Sequence, residues 1–305
     1  LAVMDRKCPG LTGCLLLVLL FLLPGWARAG ESTSMANLVN SAPDSVARTF
    51  IDWSYDFQDN GTREIGGRLY VPPGYNHADA ATRYPLLVFY HGSSEFGTNN
   101  TSQVTTKWAD YLKVAAQNHK FFLYLPQASV GWMRPGSADI ENTMLQVANL
   151  QRAYRIDREK LYMTGFSQGG NAIWSLGGVH AGAITALFPV EPLRGGLADS
   201  DALDLIGKPI WVFHNRKDTK VIPWNARGRV DQLRTVAGLP LWTYLDVSDK
   251  TNNSYFEENG LRYSENGNDG SGGGDNHTTQ WVYQNEATYT WMLTQRNMTG
   301  WLAAG

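Results

Sequence analysis

The sequence predicts a single-domain, doubly wound α/β sheet with mostly parallel strands, and three observations carry that expectation. Short apolar runs are continuous rather than alternating, which suits strands buried on both faces. Segments with helical spacing of apolar residues lie between them, so strand and helix alternate along the chain. A Gly-x-Ser-x-Gly turn, Gly165 to Gly169, joins one such run to one such segment.

Taken in order, the apolar runs occupy 85–90, 121–125, 161–164, 184–190, 209–214 and 241–245. Each is bounded by turn formers, as with His91-Gly92 after the first and Gly165 after the third. The helical pattern is clearest over 141–155, where Met144, Val147, Leu150 and Tyr154 recur on one face. A second lies over 226–237, with Val230, Leu233 and Val236 on one face and Gly238 as the stop. At 305 residues the chain is long enough for one large core.

The turn Gly165-Phe166-Ser167-Gln168-Gly169-Gly170 follows Lys160-Leu161-Tyr162-Met163-Thr164 and leads into Asn171-Ala172-Ile173-Trp174. A serine hydroxyl is a weak nucleophile until a sharp strand-to-helix turn exposes it to a base. Glycines two before and two after the serine remove Cβ atoms from that turn. Ser167 is therefore the expected nucleophile, against the plainer reading of a structural turn.

A carboxylate and then a histidine should follow further along the chain. Asp218 stands in His214-Asn215-Arg216-Lys217-Asp218, after the fifth run. His277 stands in Gly274-Asp275-Asn276-His277, after the last. A buried carboxylate that orients an imidazole, which in turn takes the serine proton, is the logic of a catalytic triad. Asp218 could instead be an ordinary turn residue, with Asp246 and Asp249 as rival acids. Among the rival histidines, His119 and His180 sit in or near helices, His77 is in an early polar loop, and His214 ends a strand.

An oxyanion hole is expected from the backbone amides of Ser93 and Gln168, with Ser94 as the alternative to Ser93. His91-Gly92-Ser93-Ser94-Glu95-Phe96-Gly97 follows the first core run, where this chemistry places one donor. Tyr90 and Glu95 flank that loop and are candidates for shaping the acyl side. Trp132 and Trp224 lie on loops after strands, where α/β sheets bind ligands. Trp281 follows the proposed base, and Trp174 lies in the helix after the elbow. Most tryptophans in such a chain are simply core.

These segments resemble secreted esterases of the α/β-hydrolase superfamily. These are the relatives of polyhydroxybutyrate depolymerases, feruloyl and acetylxylan esterases, and dienelactone-hydrolase-like carboxylesterases. The resemblance is carried by Tyr84 to Gly92 with Gly97-Thr98-Asn99-Asn100, and by Tyr154-Arg155-Ile156-Asp157 with the elbow. Pro209 to His214 with Lys217-Asp218, and the closing Trp291-Met292-Leu293-Thr294-Gln295-Arg296, extend it over nearly the whole chain. It implies a serine hydrolase that cleaves carboxylic esters through an acyl-enzyme, with no cofactor and no metal. Trp281 matches a tryptophan that the family often carries beyond its histidine. One departure is a long polar, glycine-rich loop expected over 248–275, where the family usually has a short one.

Two other classes compete with that reading. A prolyl-oligopeptidase-type serine peptidase shares the triad order, but no propeller repeat precedes the catalytic region. A non-catalytic carbohydrate-binding protein on a hydrolase scaffold is the second rival, because fold does not dictate function.

The remaining features bound partners and location. A net charge of −2 points to neither nucleic acid nor a membrane surface, so the expected partner is a small-molecule or polymeric ester. Residues 1–29 read as a signal peptide starting at Met4, with Arg6 and Lys7 ahead of a short apolar run. Ala27-Arg28-Ala29 is the cleavage site, leaving Gly30 as the mature start of a 30–305 catalytic domain that is secreted or periplasmic. Both cysteines, Cys8 and Cys14, fall in the removed segment, so stability must come from the core.

Overall fold

A computed structural model of the chain describes residues 50–53, 66–132, 138–193, 197–267 and 280–297, all within the unit Ala42–Gly305. The early strands are β1 (Ile51–Asp52), β2 (Gly67–Tyr70) and β3 (Tyr84–Tyr90). Helix α1 (Lys107–His119), β4 (Phe122–Pro126), α2 (Ala138–Ala153), β5 (Ile156–Phe166) and α3 (Gln168–Val179) come next. They lead to β6 (Ala186–Val190), α4 (Asp199–Asp204), β7 (Ile210–Asn215) and α5 (Trp224–Val236). A hairpin, β8 (Ser254–Glu258) with β9 (Leu261–Asn266), precedes α6 (Gln280–Tyr283) and α7 (Glu286–Thr294).

The described strands form one sheet in the order β1-β2-β4-β3-β5-β6-β7-β9-β8. From β4 to β9 every neighbouring pair is parallel, while β1, β2 and β8 add antiparallel edges. The expected doubly wound, mostly parallel architecture is what forms. Leu87, Phe89, Leu123, Leu125, Tyr162 and Phe188 face one layer with α1, α6 and α7. Helix α3 packs on β5 and β6 and meets α2 and α4, while α5 meets α4 and β7. Helix α1 shows how locally this is written. Ala109, Leu112, Ala115 and Ala116 make its buried stripe, and the Thr106 side chain caps it by accepting from the Ala109 amide.

Five of the six expected strands form where the apolar runs lie, and the sixth does not. Residues 241–245 form no regular element and lie outside the sheet, with Leu241 57% exposed. Trp242 stacks on Phe256 at 5.1 Å, and Tyr244 stands edge-on to Phe256 and Tyr263. Their apolar surface covers the hairpin instead of joining the ladder. The place beside β7 goes to β9, whose buried face is Leu261, Tyr263 and Glu265. The loop expected over 248–275 is corrected accordingly: its 254–266 portion is the β8–β9 hairpin, and residues 268–275 lie outside the described residues. Asn259 and Gly260 carry φ of 52° and 82°, the two positive values that a tight two-residue hairpin turn demands.

Candidate functional site

The carboxyl ends of β3, β5, β6, β7 and β9 converge on one edge, where α/β sheets build their sites. Tyr90 pairs with Gly165, Phe166 with Val190, and Asn215 with Asn266. The Ser167 amide donates to Val190 O at 3.0 Å, and the Glu191 amide donates to Phe213 O at 2.8 Å. Ser167 and Asp218 are thus at the ends of strands two positions apart. At about 4.8 Å per strand, the two strand ends are roughly 10 Å apart.

Ser167 occupies φ 57°, ψ −116°, between the end of β5 and the first turn of α3, and is buried. An L residue at this φ is strained, by about 1–3 kcal/mol, and holds only where its surroundings over-determine it. Here they do. A Cβ on Gly169 would lie 1.9 Å from Tyr90 O and 2.6 Å from His91 O, and one on Gly165 would lie 2.3 Å from Gly169 O. Glycine at both positions therefore lets the elbow press against the end of β3.

Ser93 and Ser94 form an exposed 3₁₀ turn with Glu95 directly after β3. Gln168 is the first residue of α3, where an amide has no partner inside its own helix. The loop bearing Ser93 is tied down from behind. Gln127 Nε2 donates to Glu95 O and to Asn99 Oδ1, each at 2.9 Å, and Gln127 Oε1 accepts from the Asn100 amide at 2.6 Å. The Gly97 amide donates to Ala128 O at 3.0 Å. Gln127 escaped the sequence reading, and its only signal was a polar residue directly after the apolar run of β4.

His91 is the second anchor. The Ala128 amide donates to His91 Nε2 at 3.0 Å, so Nε2 is unprotonated and the ring proton sits on Nδ1, which donates to Gly92 O at 2.7 Å. Glu95 Oε2, 3.9 Å from Nδ1, therefore faces a neutral ring and not an ion-pair partner. Burial pulls the His91 pKa down to about 4, against the opposing pull of the Gly92 carbonyl. Unfolded, the same ring titrates near 6.5. Above that pH neither state holds the proton, and this contribution to stability is complete. Between about 6.5 and 4 the unfolded chain takes a proton that the native ring refuses. Stability should then fall by about 1.4 kcal/mol per pH unit, or about 3 kcal/mol in all. Denaturant melts from pH 7 to 4 should show this slope in the parent and a slope smaller by about one proton in His91→Gln. Equal slopes would remove the assignment.

Asp218 is buried on the turn after β7. Its Oδ1 accepts from the amides of Lys220 at 2.8 Å and Val221 at 2.9 Å, and its own amide donates to Asn215 O at 3.0 Å. His214 Nε2 donates to Val221 O at 2.7 Å, so this histidine is fixed within the same turn and occupied as a structural donor. The rival acids sit elsewhere, on the crossover ahead of β8. The Ser248 amide donates to Asp246, and Asn252, Thr251 and their amides donate to Asp249, holding both carboxyls below the usual range. His277 lies outside the described residues.

Of the expected substrate contacts, Tyr90 and Trp132 are fully buried and pack edge-on at 5.1 Å, with His91 5.0 Å from Trp132. Neither offers surface to a ligand in this arrangement; with His91 they pack together at the end of β3. Glu95 is buried beside them and accepts from Ser94 Oγ at 2.7 Å. Trp281 is half-buried and stands against Phe213 at 5.5 Å. Trp224 is 55% exposed at the start of α5, with Arg227 against its ring. A depression of about 910 Å³ lined by His77, Arg83, Arg155 and Arg158 is at the opposite, amino-terminal edge of β3 and β5. Among the described residues, no cluster of His, Cys, Asp or Glu is arranged to hold a metal ion, and no helix is long and apolar enough to cross a membrane.

No protein-family model matches the chain. A bifunctional acetylxylan esterase/xylanase, XynS20E of Neocallimastix patriciarum, is 26% identical over 144 residues, covering 46% of this chain and 20% of that protein. A solved thermostable esterase superposes with TM-score 0.64 at 25% identity, over 82% of this chain and 64% of its own. The poly(3-hydroxybutyrate) depolymerase LpqC of Bordetella parapertussis superposes with TM-score 0.54 at 18% identity, over 84% and 93% of the two chains. The chain thus spans less than two thirds of the first two proteins. Together with the sheet order, these similarities show an α/β-hydrolase fold.

Proposed function

We propose that this α/β-hydrolase is a serine carboxylesterase working through an acyl-enzyme. The observation that carries the reading is the Ser167 elbow: a strained, positive-φ serine between a parallel strand and a helix, seated against β3 by Gly165 and Gly169. A residue held in this conformation marks a site where geometry has been favoured over local stability.

In the proposed reaction Ser167 Oγ attacks the ester carbonyl and forms the Oγ–C bond as its proton passes to the His277 imidazole. The carbonyl oxygen becomes an oxyanion held by the amides of Ser93 and Gln168. Collapse breaks the bond to the alcohol oxygen, which takes the proton from the imidazolium. Water then repeats the sequence on the acyl-enzyme and frees the acid and Ser167. Asp218 orients the ring and stabilises its charged form. Each fixed oxyanion donor contributes about 3 kcal/mol to lowering the barrier.

The named similarities favour an ester on a polymer, either an acetyl group on a plant-wall polysaccharide or a polyhydroxyalkanoate. A substrate of that size is met outside the cell, which agrees with the export proposed from residues 1–29. Trp224, exposed beside the acid turn, is the aromatic surface best placed to meet it.

The test is a fluorophosphonate probe applied to the secreted protein, followed by intact mass and peptide mapping. It is run beside a panel of p-nitrophenyl acyl esters, acetylated xylan, feruloyl esters, a polyester film and a prolyl amide. A single adduct at Ser167 on a chain beginning at Gly30, with ester turnover, is expected. An unlabelled protein would end the catalytic reading in favour of a binding module, and preference for the prolyl amide would make it a peptidase.

A further inference from the structure

We infer that the buried Arg216–Glu265–Arg227 cluster is a positioning device for the acid turn, setting where Asp218 stands relative to the base. This rests on the assignment of Asp218 given above. Glu265 projects from β9, beside His214 of β7, with no exposed side-chain surface. Its Oε2 accepts from Arg216 Nε at 2.9 Å and Arg227 Nη2 at 2.6 Å. Its Oε1 accepts from Arg227 Nε at 2.8 Å and Tyr263 OH at 2.7 Å. Burial alone would raise this carboxyl's pKa, but Arg227, Tyr263 and Arg216 outweigh it and keep the group ionised.

Arg216 is two residues before Asp218 and ties the turn to three separate segments. Its main-chain amide donates to Asn266 O at 2.8 Å, extending the β7–β9 ladder into the acid turn. Its Nη1 donates to Asp249 O and Asn252 O, each at 2.7 Å, and its Nη2 to Ser254 Oγ at 3.2 Å. Lys250 Nζ donates back to Arg216 O. Arg227 clamps the same crossover from α5, donating from Nη2 to Leu245 O at 2.7 Å, with its guanidinium 4.9 Å from the rings of both Trp224 and Tyr244. The turn bearing Asp218 therefore has its position set from β9, from the crossover and from α5 together.

Stability is a poor reason for such a cluster. Removing three charges from water costs more than well-packed apolar side chains would, and similar buried sets have been replaced by apolar residues with a gain in stability. What apolar side chains cannot do is hold several backbone carbonyls in fixed directions. The planar fork of Arg216 meets four acceptors at once, a geometry that a lysine ammonium on a flexible stem does not reproduce. Since Asp218 Oδ1 is already fixed within the turn by the Lys220 and Val221 amides, moving the turn moves the carboxylate with it. A misplacement of about 1 Å is enough to cost about 100-fold in rate.

The discriminating experiment is a double-mutant cycle on the full chain: Arg216→Lys, Asp218→Asn and both together, with p-nitrophenyl acetate kinetics and thermal melts for each. Arg227→Lys is run in parallel and serves if Arg216→Lys does not fold. Arg216→Lys should lower kcat by about 10- to 100-fold with KM within about twofold. In the Asp218→Asn background the same change should cost less than about twofold, while its effect on Tm recurs in full. Losses that multiply in the double variant, or an Arg216→Lys kcat within about twofold of the parent, would overturn the positioning role alone. Full activity in Asp218→Asn would overturn the acid assignment itself and the cluster's role with it.

Discussion

Ser167→Ala and Ser167→Gly should both lose activity, by about 10⁴-fold or more in kcat, and only the glycine variant should gain stability. The first effect follows from removing the attacking oxygen while leaving the oxyanion donors and substrate contacts in place. The second follows from φ 57°, ψ −116° at this residue. Glycine populates positive φ freely, so Ser167→Gly releases about 1–3 kcal/mol of strain and returns about 0.5–1 kcal/mol as extra entropy in the unfolded chain. The net gain is about 1 kcal/mol, or a Tm increase of about 2–4 °C for a domain of this size. Alanine keeps the Cβ and the strain, so its melt should stay close to the parent's. Steady-state kinetics and calorimetry on the three proteins check both halves. A glycine variant that melts below the parent would mean the elbow is held without strain.

Asp218→Asn should lower kcat by about 10⁴-fold with little change in KM, the loss seen when a triad aspartate in a serine protease becomes asparagine. The variant should keep the fold of the turn. An asparagine carbonyl oxygen can still accept from the Lys220 and Val221 amides, and the residue's own amide still donates to Asn215 O. What changes is charge and hydrogen-bond polarity: an amide nitrogen can stand where an oxygen accepted, and no negative charge remains to stabilise an imidazolium. Burst kinetics with a p-nitrophenyl ester would show whether acylation is the step that slows. A variant with parental kcat would move the acid role elsewhere.

The core of the fold was legible because buried parallel strands have the simplest of signatures. Leu86 to Tyr90, Leu123 to Leu125 and Val212 to His214 sit between helical layers on both faces, so nearly every position is apolar. The elbow was legible for a different reason: its glycines answer to backbone collisions within a few residues and with Tyr90 O. The hairpin was misread although its turn was visible. Asn259-Gly260 is the strongest short signal for such a turn, but β9 alternates and buries Glu265 on its core face, which reads as polar loop. The aromatic run of Trp242 and Tyr244 read as a strand because packing over a hairpin and packing within a sheet select the same residue types.

By itself the sequence determined the doubly wound sheet and the glycine-flanked serine turn. The first shows as periodicity and the second as a fixed glycine–serine–glycine spacing, both of which are readable in one dimension. Only the tertiary structure decided which strand stands beside β7, which histidines serve as struts and which charges are buried together. Arg216, Arg227 and Glu265 look like surface residues in the chain, and Gln127 and His91 like parts of a loop. Their roles come from partners 32 to 49 residues distant, and hydrogen bonds across such separations leave no periodic trace in the sequence.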